Sequence, residues 1–161
     1  MNIFYLDENI ETCARYHCDA HVVKMILESA QILCTVLWLN HIESPYRPTH
    51  IKHPCVLWAG RSLSNWIWLK NLAGALNNEY KYRFNHTTNH KSYDVILSLQ
   101  MPPIPDLGLT EIVQAMPEEY KNNNPVLAYR QYYIGRKYHL AKWTKRAVPS
   151  WFISGNVFRN K

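Results

Sequence analysis

The chain has no CxxC pair, no uninterrupted apolar run of the ~20 residues needed to span a bilayer, no basic leader and no internal repeat. Each absence removes a class of protein. Four isolated cysteines, Cys13, Cys18, Cys34 and Cys55, do not make a zinc knuckle or ribbon, and in a reducing compartment they are expected as free thiols. The missing apolar run argues against a membrane partner. The opening, MNIFYLDENIE, turns acidic at once, unlike a signal or transit peptide, so the expected location is the cytoplasm. Charged residues are also scarce, at 19% against 47% apolar, which excludes a disordered chain. Without a linker or low-complexity stretch, residues 1–161 are expected to form a single domain.

What is abundant is positive charge and aromatic surface. The net charge is +6 before any of the eight histidines is counted, which favours a polyanionic partner. Eleven tyrosines, six tryptophans and four phenylalanines mostly supply core, with a minority available to stack on bases.

The hydrophobic pattern predicts a mainly α, compact helical domain with a short extended N-terminus over residues 2–6. Asp7-Glu8-Asn9 can cap a long helix from about Ile10 to Leu39, apolar on most sides and therefore central. Residues 41–55 hold three prolines and read as a loop. A second long helix is expected from Val56 to Phe84, a short helix or turn over 92–99, a proline-rich loop over 101–108 and a helical turn over 110–115. A last helix, capped by Asn122-Asn123-Asn124-Pro125, is expected from Val126 to about Thr144. The tail 148–161 carries Trp151 and Phe152, able to pack back on the body.

Within the first helix, His17, His21, Lys24, Glu28 and Gln31 are spaced four, three, four and three apart, which places all five on one face of an unbroken helix. Such a stripe is either a solvent face or the lining of a site. Two histidines and one carboxylate, facing a proline loop that holds His50 and His53, favour a site. Its chemistry stays open between a metal shared by His17, His21 and Glu28, although the HExxH form is absent, and general acid–base work at Glu28 with Lys24 beside it. A desolvated Lys24 could also form a Schiff base.

Residues 129–146 interleave six Lys or Arg, among them Arg136 and Lys142, with four tyrosines and Trp143. Cations that meet phosphates and rings that meet unstacked bases suit nucleic acid. The loop around Arg47, His50 and Lys52 adds a second basic element.

The segments Met1–Leu6, His21–Glu28, His53–Trp58 and Glu79–Phe84 together resemble the pyrimidine-dimer DNA glycosylase/AP lyase family. The opening MNIF and the helix HCDAHVVKMILESAQ also resemble a set of small phage proteins. In the family a short apolar opening leads to a helix with a histidine and, seven residues on, a catalytic glutamate, matched here by His21 and Glu28. A His-Pro pair opening an aromatic helix is matched by His53-Pro54 and Trp58. The resemblance implies that the N-terminal α-amine attacks C1′ of a damaged nucleotide to form an imine, with the glutamate assisting. A free α-amine titrates near ~7.7–8.0, so part of it is neutral near pH 7. With Asn2 too bulky for removal of the initiator, the amine is expected on Met1. The sequence departs from the family where Leu27, Gln31 and Asn2 stand in place of DNA-contacting arginines.

The expected catalytic set is therefore Met1, Glu28, His21 and Lys24. Substrate contacts are expected from Asn2, His17, Gln31, Arg47, His50, His53, Arg136 and Lys142. The expectation is a monomer acting on double-stranded DNA without metal or cofactor. The alternatives are a metal-dependent hydrolase or nuclease using the His/Glu cluster, and a non-catalytic phage nucleic-acid-binding protein. The separation of the Met1 nitrogen from the Glu28 carboxylate bears most directly on the choice: a few ångströms with an open cleft supports the lyase reading, and a buried or remote N-terminus ends it.

Overall fold

A computed structural model describes residues 1–159, with side chains through Gly155. Its elements are α1 (Ile10–Tyr16), α2 (Asp19–Leu39), α3 (Pro54–Arg61), α4 (Leu63–Phe84), α5 (Lys91–Ser98), α6 (Pro125–Arg136) and α7 (Ser150–Arg159), with single 3₁₀ turns at Glu118–Tyr120 and Tyr138–Leu140. Among the described residues there is no strand, and the expected all-helical domain with an extended N-terminus is what forms.

Two long helices expected from periodicity are each broken. The first breaks at His17 and Cys18, which are both extended. No glycine or proline marks the break. Partners from elsewhere satisfy the backbone groups that it frees: Arg83 donates to the carbonyls of Arg15 and His17, both at 2.8 Å. The N–H of Cys18 reaches the Tyr133 hydroxyl at 3.1 Å, and that of Asp19 the carbonyl of Lys142 at 2.8 Å. The second helix breaks at Ser62, again extended. Its hydroxyl bonds the carbonyl of Gly108, and the N-terminus of α4 is capped from the proline-rich loop by Asp106, which accepts from the N–H and hydroxyl of Ser64. The predicted caps Asn9 and Asn124 both hold, accepting from Thr12 and from Val126 and Leu127 respectively.

Three other boundaries differ from expectation. Residues 110–115 form no helical turn; Thr110 is tied instead to Asn65 through its N–H and its hydroxyl. The last predicted helix stops at Arg136 rather than Thr144, since 142–146 is recruited to cover the α1–α2 break. The tail is the helix α7, with Phe152 buried; Asn160 and Lys161 lie outside the described residues.

Helix α2 is the spine, packed against α3, α4 and α5. By length and composition alone it is long and apolar enough to cross a membrane, but Lys24 and Glu28 interrupt its apolar run and 67% of its most apolar stretch is buried within the fold. Ile26, Ile32, Leu33 and Leu37 pack with Trp66, Leu69, Leu72 and Leu76 of α4, all essentially inaccessible. At ~1.5–3 kcal/mol for each large apolar side chain fully buried, this interface dominates the favourable side of folding. The extended N-terminus lies along α2. Phe4 stacks on His21 at 4.4 Å between centroids, and the main chain of Asn2 meets Glu28 two turns further along α2.

Candidate active site

The N-terminus is anchored from three sides. The N–H of Asn2 donates to Glu28 Oε2 at 3.1 Å, and its side-chain amide donates to the carbonyl of Ala115 at 2.9 Å. The Asn2 side-chain oxygen Oδ1 accepts from the N–H of Ile3, from the Tyr129 hydroxyl and, at 3.7 Å, from the Cys55 thiol. This holds the Met1 nitrogen 3.7 Å from Glu28 Oε1. The Met1 side chain is only 3% exposed, whereas the residue as a whole is half-buried, so its contact with solvent is through the main chain. Glu28 itself is 8% exposed.

Lys24, one turn before Glu28 and well exposed, places its ammonium 3.8 Å from the same Oε1. Two cationic groups thus share one carboxylate oxygen at separations longer than a hydrogen bond, while the other oxygen is held by a backbone N–H. His53, the N-cap of α3, completes the near surroundings. Its Nδ1 accepts from the N–H of Cys55 at 3.1 Å. Burial, then the positive amine of Met1 and His50, lowers its pKa, while Glu28 and a hydrogen bond to the Met1 backbone oppose that. His53 therefore sits beside the amine in its neutral form at pH 7. His50 lies 6.5 Å from it ring to ring and adopts a positive φ of 48°, a conformation unusual for a residue other than glycine.

The predicted stripe is redrawn. With the helix broken, His17 does not belong to α2. It is fully buried, its Nδ1 bonded to the carbonyl of Cys13 at 2.7 Å, and burial pushes its pKa down to about 4. It lines no surface, so it cannot contact a substrate there. His21 is on α2 but two turns from Glu28, bonded through Nδ1 to the Tyr133 hydroxyl at 2.7 Å and covered by Phe4; burial lowers its pKa to about 3. Both histidines fasten the core. The exposed stripe of α2 is instead Ala20, Val23, Lys24 and Leu27, with half-buried Gln31 continuing it and Glu28 on its border. Among the described residues, no three His, Cys, Asp or Glu side chains converge as a metal-holding group.

The remaining expected contacts scatter. Arg47 and His50 are exposed on the proline loop. Arg136 is paired with Glu119 at 3.3 Å and lies over Tyr120, and Lys142 is exposed near the start of α2. Sequence reasoning missed Cys55, whose buried thiol, pushed up to about 12 by burial, packs under the N-terminus. Its position directly after the His53-Pro54 pair was the available signal. It also missed the buried Glu79–Arg83–Arg146 cluster, whose i,i+4 spacing on α4 looks like any surface ion pair. The largest concavity, a groove of about 930 Å³ between α1 and α4, lies apart from Met1 and Glu28, as do hollows of about 510 and 440 Å³ and a smaller cavity of about 250 Å³.

Comparison of the chain with models of known protein families, with curated proteins and with solved structures found no match.

Proposed function

We propose that the protein is a DNA glycosylase/AP lyase of the pyrimidine-dimer glycosylase type, with the α-amine of Met1 as nucleophile and Glu28 as its acid–base partner. The observation that carries this is the 3.7 Å separation between the Met1 nitrogen and Glu28 Oε1. It supports the family resemblance because that chemistry needs an amine and a carboxylate side by side, and the two lie 27 positions apart in sequence.

The neutral amine attacks C1′ of the damaged nucleotide. The C1′–N bond to the base breaks, and the base leaves with the electron pair and takes a proton. Loss of the second amine proton and opening of the sugar ring give an imine. Removal of a C2′ proton then expels the 3′ phosphate by β-elimination, and water releases the amine. Glu28 is placed to accept protons from the amine and return them. Lys24 supplies positive charge at the site mouth, where Arg47 and Lys52 on the neighbouring loop suit a phosphate backbone.

The test is borohydride trapping on duplexes that contain an abasic site or a cyclobutane pyrimidine dimer, followed by peptide mapping. The expected product is a reduced adduct on the α-amine of Met1, strongly diminished by Glu28→Gln. Intact mass establishes that the purified chain carries a free Met1 amine. No adduct from such a chain, an adduct on a lysine, or trapping indifferent to Glu28→Gln overturns the proposal.

A further inference from the structure

The cavity of about 250 Å³ shares no lining residue with the Met1–Glu28 pair. Three of its walls are aromatic: Tyr5 from the extended N-terminus, Trp58 of α3 and Trp68 of α4. Trp58 and Trp68 meet at 5.9 Å and 88°, and Tyr5 meets Trp68 at 5.5 Å and 58°, so the rings stand as the inclined walls of a box. The box is built rigidly. The Trp58 indole N–H is fixed on the carbonyl of Glu111 at 3.0 Å, and the loop that carries Glu111 is tied through Thr110 to Asn65.

The rim is acidic. Glu8 and Glu111 line the cavity, both are exposed, and no lysine or arginine lines it. Among the described residues no cation pairs with either carboxylate, in a chain whose net charge is +6. The charge of Glu8 reaches Tyr5, adding to burial in raising the phenol's pKa. The electron-rich faces of aromatic rings, with an acidic rim of this kind, attract organic cations, whose weakly hydrated methyl groups fill such a box at little desolvation cost. A nucleotide phosphate would be repelled.

We propose that Tyr5, Trp58 and Trp68, with Glu8 and Glu111 at the rim, form a binding site for a methylated ammonium group, carried by a small molecule or by a modified lysine side chain.

The test titrates the full chain with choline, with its neutral isostere 3,3-dimethylbutan-1-ol, and with a peptide bearing trimethyllysine, followed by calorimetry and by the indole N–H signals of Trp58 and Trp68. Choline or the peptide is expected to bind with Kd of ~1 mM or tighter, and the neutral isostere at least ~10-fold more weakly. Tighter binding of the peptide than of choline supports a protein source for the cation, and equal binding supports a small molecule. The double variant Glu8→Gln/Glu111→Gln changes two exposed side chains, so it keeps the fold, and is expected to lose ~10-fold in affinity. Equal binding of the neutral isostere, no binding of either cation, or full affinity in the double variant overturns the proposal. Borohydride trapping on DNA is expected to be unchanged in that variant, which keeps this site separate from the amine site.

Discussion

Glu79 and Glu28 are both buried carboxylates that face two cationic groups, yet they are held in opposite ways. Glu79 is saturated. Arg83 Nε meets one oxygen at 2.8 Å, while Arg146 meets the other at 2.7 Å and reaches across to the first at 3.1 Å. Arg83, 1% exposed, goes on to bond Asp19 and the carbonyls of Arg15 and His17. Burial raises the Glu79 pKa, but the hydrogen bonds from Arg146 and Arg83 outweigh it and hold the carboxyl below its usual range. Glu28 has one oxygen fixed by a backbone N–H and the other facing Met1 and Lys24 at 3.7 and 3.8 Å. A carboxylate whose lone pairs are all engaged locks structure. One that keeps an oxygen facing an amine, without a short hydrogen bond, retains the capacity to take a proton.

The largest expected effect is on the saturated side. Arg83→Ala leaves two carboxylates and two main-chain carbonyls with lost partners at the α1–α2 break, and is expected to cost ~3–5 kcal/mol in urea unfolding. A variant as stable as the parent would show that the cluster does not hold the break.

Glu28→Gln is expected to do the reverse. The amide can still accept from Asn2, so stability should change by under ~1 kcal/mol, while the rate of adduct formation on abasic DNA falls by ~100-fold or more. If the variant unfolds as readily as Arg83→Ala, Glu28 belongs to the same structural class as Glu79 and the contrast is lost.

A third effect separates histidines of the core from those of the site. His17 and His21 have folded pKa values near 4 and 3, below the ordinary 6.5, because burial favours their neutral forms. An unfolded chain binds their protons first, so the stability they contribute is complete above about pH 6.5 and is lost as pH falls toward 4 and then 3. The unfolding free energy should decline over that window by up to ~1.4 kcal/mol per pH unit for each histidine. His17→Asn should flatten the decline, and urea midpoints at stepped pH measure it. An unchanged slope would place the titrating group elsewhere, with Glu79 the next carboxyl to lose its partners at lower pH.

The smallest effect is at Lys24. Its ammonium is exposed, so Lys24→Met should alter stability by only ~0–1 kcal/mol and leave the trapped adduct on Met1. Loss of the adduct in this variant alone would move the nucleophile from the α-amine to the lysine, and peptide mapping distinguishes the two.

Much of the fold was present in local pattern. The caps Asn9 and Asn124, the apolar face of α2 and the aromatic periodicity of α4 each depend on residues within a few turns of one another. So does the pairing of Lys24 with Glu28, one helical turn apart. The position of Glu28 on an otherwise apolar stretch of α2 was also legible from its spacing.

The breaks were not legible. Nothing at His17-Cys18 or Ser62 disfavours helix strongly enough to end one; the backbone turns there because Arg83, Tyr133, Lys142 and the Asp106 loop, all distant in sequence, satisfy the groups that the turn exposes. That break removed His17 from the stripe and left it in the core. The sequence by itself determined that the fold is helical and where its long apolar helices lie, since both follow from side-chain period and composition. Only the tertiary structure decided that the Glu28 carboxylate meets the first residue of the chain, because an extended N-terminus has no period of its own. Its course is set by Phe4 stacking on His21 and by Asn2 bonding Ala115 on the far side.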